Sequence, residues 1–350
     1  LFAGGAAGAY IATMGLFTPK PAARLTTDLC GITLASPVIM AAGTCGLLDE
    51  MAPLLDLSKV GALVTKSITP QPREGNQTWR ILPAGPGAML NAIGLANPGL
   101  DVFLLTHLPR ARTLACKVIV SVAGFSVEDY AQCVANIEAF VQDQGGPAAA
   151  NVHAIELNVS CPNVRTGTEF GHTPQLIGEL MGAVRGHAKQ LRLLVKLSPA
   201  TPHLAEVARA AIGAGADALT LGNTYPAMAI DVEARRPKLA NITGGLSGPA
   251  IHPIALKHVY DVHRLVTRPV LESGGRHVPI VAIGGVMGWE QAAAFMLAGA
   301  SAIQVGTGLF ADPRCPVKIG HGLARWAGRQ GAGAVSELRG QLLGPSTEPM

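Results

Sequence analysis

A chain of 350 residues, 49% of them hydrophobic, holds enough apolar material for a large core, built as one big α/β domain or as two ordinary ones. A formal charge of +4 is small for this length, the ten histidines are scattered and aromatics make up 4% of residues, so the sequence excludes a nucleic-acid surface and favours a small-molecule enzyme. Cys30, Cys45, Cys116, Cys133, Cys161 and Cys315 form no CxxC pair and no cluster with histidine at ligand spacing, which excludes a disulfide framework and a metal site and fits a reducing compartment.

Residues 1–19 carry no charge, but Gly, Thr and Tyr dilute the run, and a leading Met and a basic flank are missing. Residues 1–23 are read as an N-terminal extension, disordered or upstream of a true start at Met14, in preference to a membrane anchor. With no other candidate span, a cytoplasmic protein that needs no membrane is expected. Folded sequence is expected from Arg24. Residues 37–42 (PVIMAA) and 60–65 (VGALVT) are continuous apolar runs, as strands buried on both faces should be, and residues 49–56 between them can form a helix. A long stretch rich in Pro, Gly and Asn then follows Lys66 as far as MLNAIGLANPG at residues 89–99.

Residues 117–123 (KVIVSVA) read as the third strand and 127–142 as a helix. The fourth strand lies in HAIELNVSCPN at 153–163, followed by a helix at 174–189. The fifth is RLLVKLS at 192–198, with a helix at 202–212. AGADALTLG at 214–222 and its echo AGASAIQVG at 298–306 each join a helix end, a Gly turn and a short strand, giving the sixth and eighth. Between them lie a polar insertion at 225–246, a helix at 249–266, a seventh strand at 278–283 and a helix at 290–297. Eight strands, nearly all followed by helices and with no break in composition, predict a single (β/α)8 TIM barrel over residues 24–330, with insertions after strands 2 and 6 and a C-terminal helix or tail at 331–350. A doubly wound open sheet is the competing architecture.

Chemistry-bearing residues then fall at one place. Lys66, Asn158, Cys161, Lys196, Asn223, Gly284, Gly285, Gly306 and Thr307 sit at or just past strand C-termini, which share one face in a barrel. Glycine turns IGGV (283–286) and VGTG (305–308), after strands 7 and 8, suit a phosphate, although glycine also ends strands for structural reasons. Lys66 and Lys196 interrupt apolar strands, so they face either anionic ligand groups or a carboxylate of the protein. Asn91, Asn158, Asn163 and Asn223 offer donors and acceptors to a planar amide ring such as a pyrimidine, where single turn asparagines would be structural. Cys161 is a base or nucleophile, or one more small buried hydrophobe.

These motifs, with TKS at 65–67, VKLSP at 195–199, LGNT at 221–224 and ANITGGLSGPAIHPIALK at 240–257, resemble the dihydroorotate dehydrogenases of class 1, the cysteine type, over residues 24–325. The resemblance implies an FMN-dependent oxidation of dihydroorotate to orotate in pyrimidine biosynthesis. Cys161 would take a proton from C5 while hydride leaves C6 for the flavin. Lys66 would sit near flavin and substrate carboxylate, and Lys196 would steady the reduced ring. Substrate would be held by Asn91, Asn158, Asn163, Asn223 and Thr224, with backbone contacts from Ile93, Gly94 and Leu95.

Flavin contacts would come from Ala42, Gly43, Lys66, Ser67, Ser121, Asn158, Lys196 and Gly222, and its phosphate from Gly248, Gly284, Gly285, Gly306 and Thr307. Ala42 stands where the family has Ser, Ser121 where it has Asn, and Gly222 where it has an apolar residue. The segments at 89–100 and 244–251 resemble the NAD-linked type 1B subclass, which implies a partner subunit carrying FAD and an iron-sulfur cluster, on a homodimeric core. A fumarate-using type 1A enzyme, another FMN-dependent dihydropyrimidine or dihydrouridine oxidoreductase, and a flavin-binding barrel without turnover are the alternatives. A phosphosugar isomerase would explain the glycine turns and leave Cys161 and the asparagines unexplained.

Overall fold

The computed structural model describes residues 21–159 and 169–345. Eight parallel strands close into a barrel in sequence order: β1 (Val38–Met40), β2 (Ala62–Val64), β3 (Lys117–Val122), β4 (Val152–Asn158), β5 (Arg192–Leu197), β6 (Ala218–Leu221), β7 (Ile280–Ile283) and β8 (Ala302–Val305). Helices α1 (Val127–Asp143), α2 (Pro174–Arg185), α3 (Leu204–Gly213), α4 (His252–Val262), α5 (Trp289–Leu297) and α6 (Cys315–Arg329) intervene or follow. The expected (β/α)8 TIM barrel is therefore what the chain forms, ahead of the open sheet.

Local chemistry places these elements. Ser126 accepts from the Asp129 N–H at 3.1 Å to start α1, and Thr173 accepts from Leu176 N–H at 3.3 Å to start α2, whose first residue is Pro174. The helix expected at 49–56 does not form. Glu50 turns back to accept from the N–H groups of Leu47 and Leu48, and Pro53 has no amide hydrogen, so the segment makes turns before a 3-10 turn at Leu57–Lys59.

The two insertions are not wholly irregular. Ile81–Pro83 and Met89–Asn91 from the first join Thr243–Ser247 and Tyr225–Met228 from the second in a four-stranded antiparallel sheet at the rim of the barrel. Residues 100–113 are helical throughout.

Inside the barrel, alternate residues point inward, and the layers differ in chemistry. The lowest layer is apolar: Ile39, Ala62, Ile119, Ala154, Leu194, Ala218, Val281 and Ala302 cluster with Leu29, Ile32 and Leu34. The last three belong to a hairpin, Thr27–Leu29 paired with Ile32–Leu34, that plugs the N-terminal end. Its two-residue loop, Cys30-Gly31, has φ of 47° and 90°, the left-handed conformation that a tight hairpin turn requires. Two residues further along the strands the inward layer turns polar: Glu156, Lys196, Thr220 and Gln304 are all buried. The barrel thus carries charge at mid-height and apolar packing below.

Candidate active site

At the C-terminal face lies a cavity of ≈ 440 Å³. Its floor is built by strand ends. On β2 the inward series Ala62, Val64 continues to Lys66, whose backbone N–H donates to Gly46 at 3.1 Å. On β4 the series Ala154, Glu156 ends in Asn158, which pairs in register with Lys196 of β5. Asn158 donates through Nδ2 to Ser67 at 3.1 Å, Ser67 and Ser121 share a hydroxyl contact of 2.8 Å, and Tyr130 donates its hydroxyl to the Asn158 carbonyl at 2.9 Å. The Asn158 side chain is thereby held by Ser67, just past β2 and itself backed by Ser121 of β3, and its backbone by Tyr130 of α1.

Charge at the site is uneven. Lys196 is 4% exposed and its Nζ lies 3.9 Å from Glu156 Oε1. Lys66 has no carboxylate within salt-bridge distance among the described residues. Burial, and then the Arg80 guanidinium, hold its pKa below the usual lysine range, against an opposing pull from Glu50. An anion entering the cavity meets a cation that gains by its arrival.

One wall is the loop around Gly94 and Leu95. Leu95 sits at φ 59°, uncommon for a branched side chain, and Asn97 locks the turn by donating to the Leu95 carbonyl at 2.8 Å and accepting from Gly99 N–H at 2.9 Å. The opposite wall is glycine. At Gly285, with φ 67°, a Cβ would stand 2.7 Å from His252 Cβ, and at Gly248 one would stand 2.4 Å from the Gly87 carbonyl. Only glycine lets these turns and the start of α4 approach so closely.

Of the residues expected at the site, Ala42, Gly43, Lys66, Ser67, Asn91, Ile93, Gly94 and Leu95 line this cavity. So do Asn158, Lys196, Asn223, Thr224, Gly248, Gly284, Gly285, Gly306 and Thr307. Two do not. Ser121 is fully buried beneath Ser67, and Gly222 packs against the neighbouring strand, where a Cβ would meet the Ile283 carbonyl at 2.3 Å. Both shape the floor from behind. Cys161 and Asn163 lie outside the described residues.

Sequence reasoning missed Arg80, Ser247 and Gln304, which also line the cavity, and Glu156 and Thr220 beneath it. Glu156, Thr220 and Gln304 had a signal available: each is a polar residue inside an otherwise apolar strand, two positions after an inward alanine.

A cavity at the strand C-termini, with an unpaired cation at one end, amides along its floor and a glycine cradle at the other, is the layout of a barrel enzyme acting on an anionic substrate beside a phosphate-bearing ligand. The dihydroorotate dehydrogenase family model matches residues 24–326, and the chain belongs to that family of oxidoreductases. It is 42% identical over 93% of its length to the whole of the catalytic subunit of dihydroorotate dehydrogenase B (NAD(+)) from Trichlorobacter lovleyi. The protein of the same description from Bacteroides fragilis is 40% identical over 91% of this chain and 99% of its own. A crystal structure of the Eimeria tenella dihydroorotate dehydrogenase in complex with ferulenol superposes with a TM-score of 0.75 at 22% identity, covering 93% of this chain and 90% of that one, a likeness of fold.

Among the described residues no helix is long and apolar enough to cross a membrane, and no group of three or more His, Cys, Asp or Glu is placed to hold a metal ion.

Proposed function

We propose that this chain oxidises (S)-dihydroorotate to orotate for pyrimidine synthesis, with FMN in the cavity, as the catalytic subunit of an NAD-linked enzyme. The observation that carries the reading is the meeting, in one cavity, of Lys66, which has no carboxylate partner among the described residues, the amides of Asn91, Asn158 and Asn223, and the glycine turns after β7 and β8. Membership of the family supports the reaction, and the names of its relatives favour the NAD-linked type over the fumarate-linked one.

The cavity fits FMN. Beside Gly43 a Cβ would meet nothing within 4 Å and beside Gly306 nothing closer than 3.7 Å, which is room for a ring and a ribityl chain along β1 and β8. Gly284, Gly285, Gly306 and Thr307, helped by Gly248, would hold its phosphate, and Thr307 is already aimed by donating to Ser247 at 2.8 Å. When bound, FMN supplies the acceptor for the hydride that leaves C6 of the substrate.

The protein's own groups do the rest. Lys66 pairs with the substrate carboxylate, and in doing so regains the charge that burial disfavours. Asn91, Asn158, Asn223 and Thr224 present donors and acceptors to the pyrimidine ring. Asn91 is oriented by donating to the Gly245 carbonyl at 3.4 Å, and Asn223 by accepting from Thr224 N–H at 2.8 Å. Lys196, at the cavity wall, would favour the negative charge of a reduced flavin ring. The base is assigned from sequence to Cys161, three residues beyond Asn158, with Asn163 as a further amide. Its thiolate takes the C5 proton as the C6 hydride departs, so the substrate loses one proton and one hydride.

Electrons would leave through a second subunit with FAD and an iron-sulfur cluster, where NAD is reduced, on a homodimer of this chain. The experiment is anaerobic: dihydroorotate is added to the purified holoprotein, and reoxidation is then tried with fumarate, a quinone, or NAD plus the partner subunit. Bleaching followed by recovery with NAD and the partner alone is expected. Recovery with fumarate alone would move the chain to the other subclass, and a flavin that dihydroorotate leaves oxidised would remove the reaction.

A further inference from the structure

Glu156 sits at mid-height inside the barrel with no exposure, on the strand that leads to the site, yet it is not among the residues that line the cavity. Its Oε2 accepts from Thr220 Oγ1 at 2.8 Å and from Gln304 Nε2 at 2.6 Å. Its Oε1 accepts no hydrogen bond, and lies 3.9 Å from Lys196 Nζ. A buried carboxylate oxygen without a donor persists beside a cation and is costly elsewhere. Two strands therefore hold one oxygen of Glu156 so that the other faces a lysine that the solvent barely reaches.

Other charged groups near Lys196 are of the wrong sign or in the wrong place. Lys66 and Arg80 line the same cavity and oppose its charge. Asp217, before β6, is bonded by Arg185 and Arg276, and Glu206 and Arg209 on α3 are exposed. Glu156 is thus the one anion, among the described residues, within salt-bridge distance of Lys196.

Resting on the FMN reading above, we propose that Glu156 is a positioning residue whose carboxylate holds the Lys196 ammonium at the cavity wall, so that the preference of the pocket for the reduced flavin is set by the Glu156–Lys196 pair. Without the carboxylate, Lys196 has cationic neighbours and no anion among the described residues to fix where it points. The positive charge that would stabilise a reduced ring is then no longer held at the wall.

The test is the midpoint potential of bound FMN, measured by spectroelectrochemistry across pH 6 to 10 in the holoprotein and in Glu156→Gln and Glu156→Asp. Glutamine keeps the shape and can still accept from Thr220 and Gln304. In Glu156→Gln the potential should fall below wild type. The expected loss is tenfold or more in relative affinity for reduced over oxidised flavin, about 30 mV for a two-electron couple. In Glu156→Asp, which keeps the charge but withdraws it, the potential should lie between the other two, and this variant carries the test if Glu156→Gln does not fold. Potentials at or above wild type in both variants would overturn the inference and leave the function standing. A wild-type protein that takes up no FMN would overturn both.

Discussion

The two ends of the barrel are made from the same strands and solve opposite problems. At the N-terminal end Leu29, Ile32 and Leu34 fill the bore, and the residues they meet are aliphatic. At the C-terminal end the same strands finish in Lys66, Asn158, Lys196 and the glycine turns, and a cavity of ≈ 440 Å³ remains. One end is closed by burial, worth about 1.5–3 kcal/mol for each large aliphatic side chain. The other holds a cation that burial disfavours and a backbone wall that tolerates no Cβ at Gly248 or Gly285. The lesson is that stability and function are separated along the barrel axis, with the layer of Glu156, Lys196, Thr220 and Gln304 as the boundary between them.

Substitutions at the two ends should therefore have separable effects. The largest is expected from Cys161→Ala, which should lower the rate of flavin reduction by dihydroorotate by about 10²–10⁴, the usual cost of losing a general base, while FMN stays bound. Stopped-flow bleaching measures it, and a rate within tenfold of wild type would take the base away from Cys161. Leu34→Ala, at the closed end, should cost about 2–5 kcal/mol of stability in denaturant unfolding and leave the affinity of the folded protein for orotate unchanged. A weakened orotate affinity there would break the separation of the two ends.

Gly285→Ala comes next. Its Cβ would stand 2.7 Å from His252 Cβ, at φ 67°, so the purified protein should carry less FMN per chain, read from absorbance, with the barrel still folded by circular dichroism. A full complement of flavin would remove the cradle from the account.

Two pH effects are smaller. With orotate pairing, as proposed, to the protonated form of Lys66, its affinity should be steady at neutral pH and fall as pH rises through a lysine pKa below the ordinary one; Lys66→Met should abolish that fall. Isothermal titration across the alkaline range reads it. At the closed end, burial and then Lys117 hold the His153 pKa down at about 4 against an ordinary 6.5. The unfolded chain binds the extra proton between those values, so the contribution of His153 is fully present above about pH 6.5 and lost as pH falls toward 4. His153→Gln should flatten that part of the melting-temperature profile, and an unchanged slope would count against the assigned cause.

Much of this was legible in the sequence, for identifiable reasons. Barrel strands such as residues 60–65 and 192–198 are apolar runs buried on both faces, and α1 carries its apolar stripe at Tyr130, Val134, Ile137 and Val141, all buried. Cavity-lining residues were visible because Lys66 and Lys196 break such runs and because the glycine turns follow them. Three features were not. The plugging hairpin has strands of three residues each, too short for a periodic pattern. The rim sheet joins residues 81–91 to residues 225–247, a pairing between distant insertions that no local signal announces. Glu156 and Gln304 were passed over because a polar residue inside a strand has meaning only once the partners on β5 and β6 are in register.

In the proposed function the open end is shaped for a carboxylated pyrimidine through Lys66. The most direct measurement compares dihydroorotate with dihydrouracil, which lacks the carboxylate, as reductants of the bound flavin in wild type and in Lys66→Met. Fast bleaching of wild type by dihydroorotate, slow bleaching by dihydrouracil and loss of that preference in Lys66→Met are predicted. Equal bleaching of wild type by both substrates would contradict it.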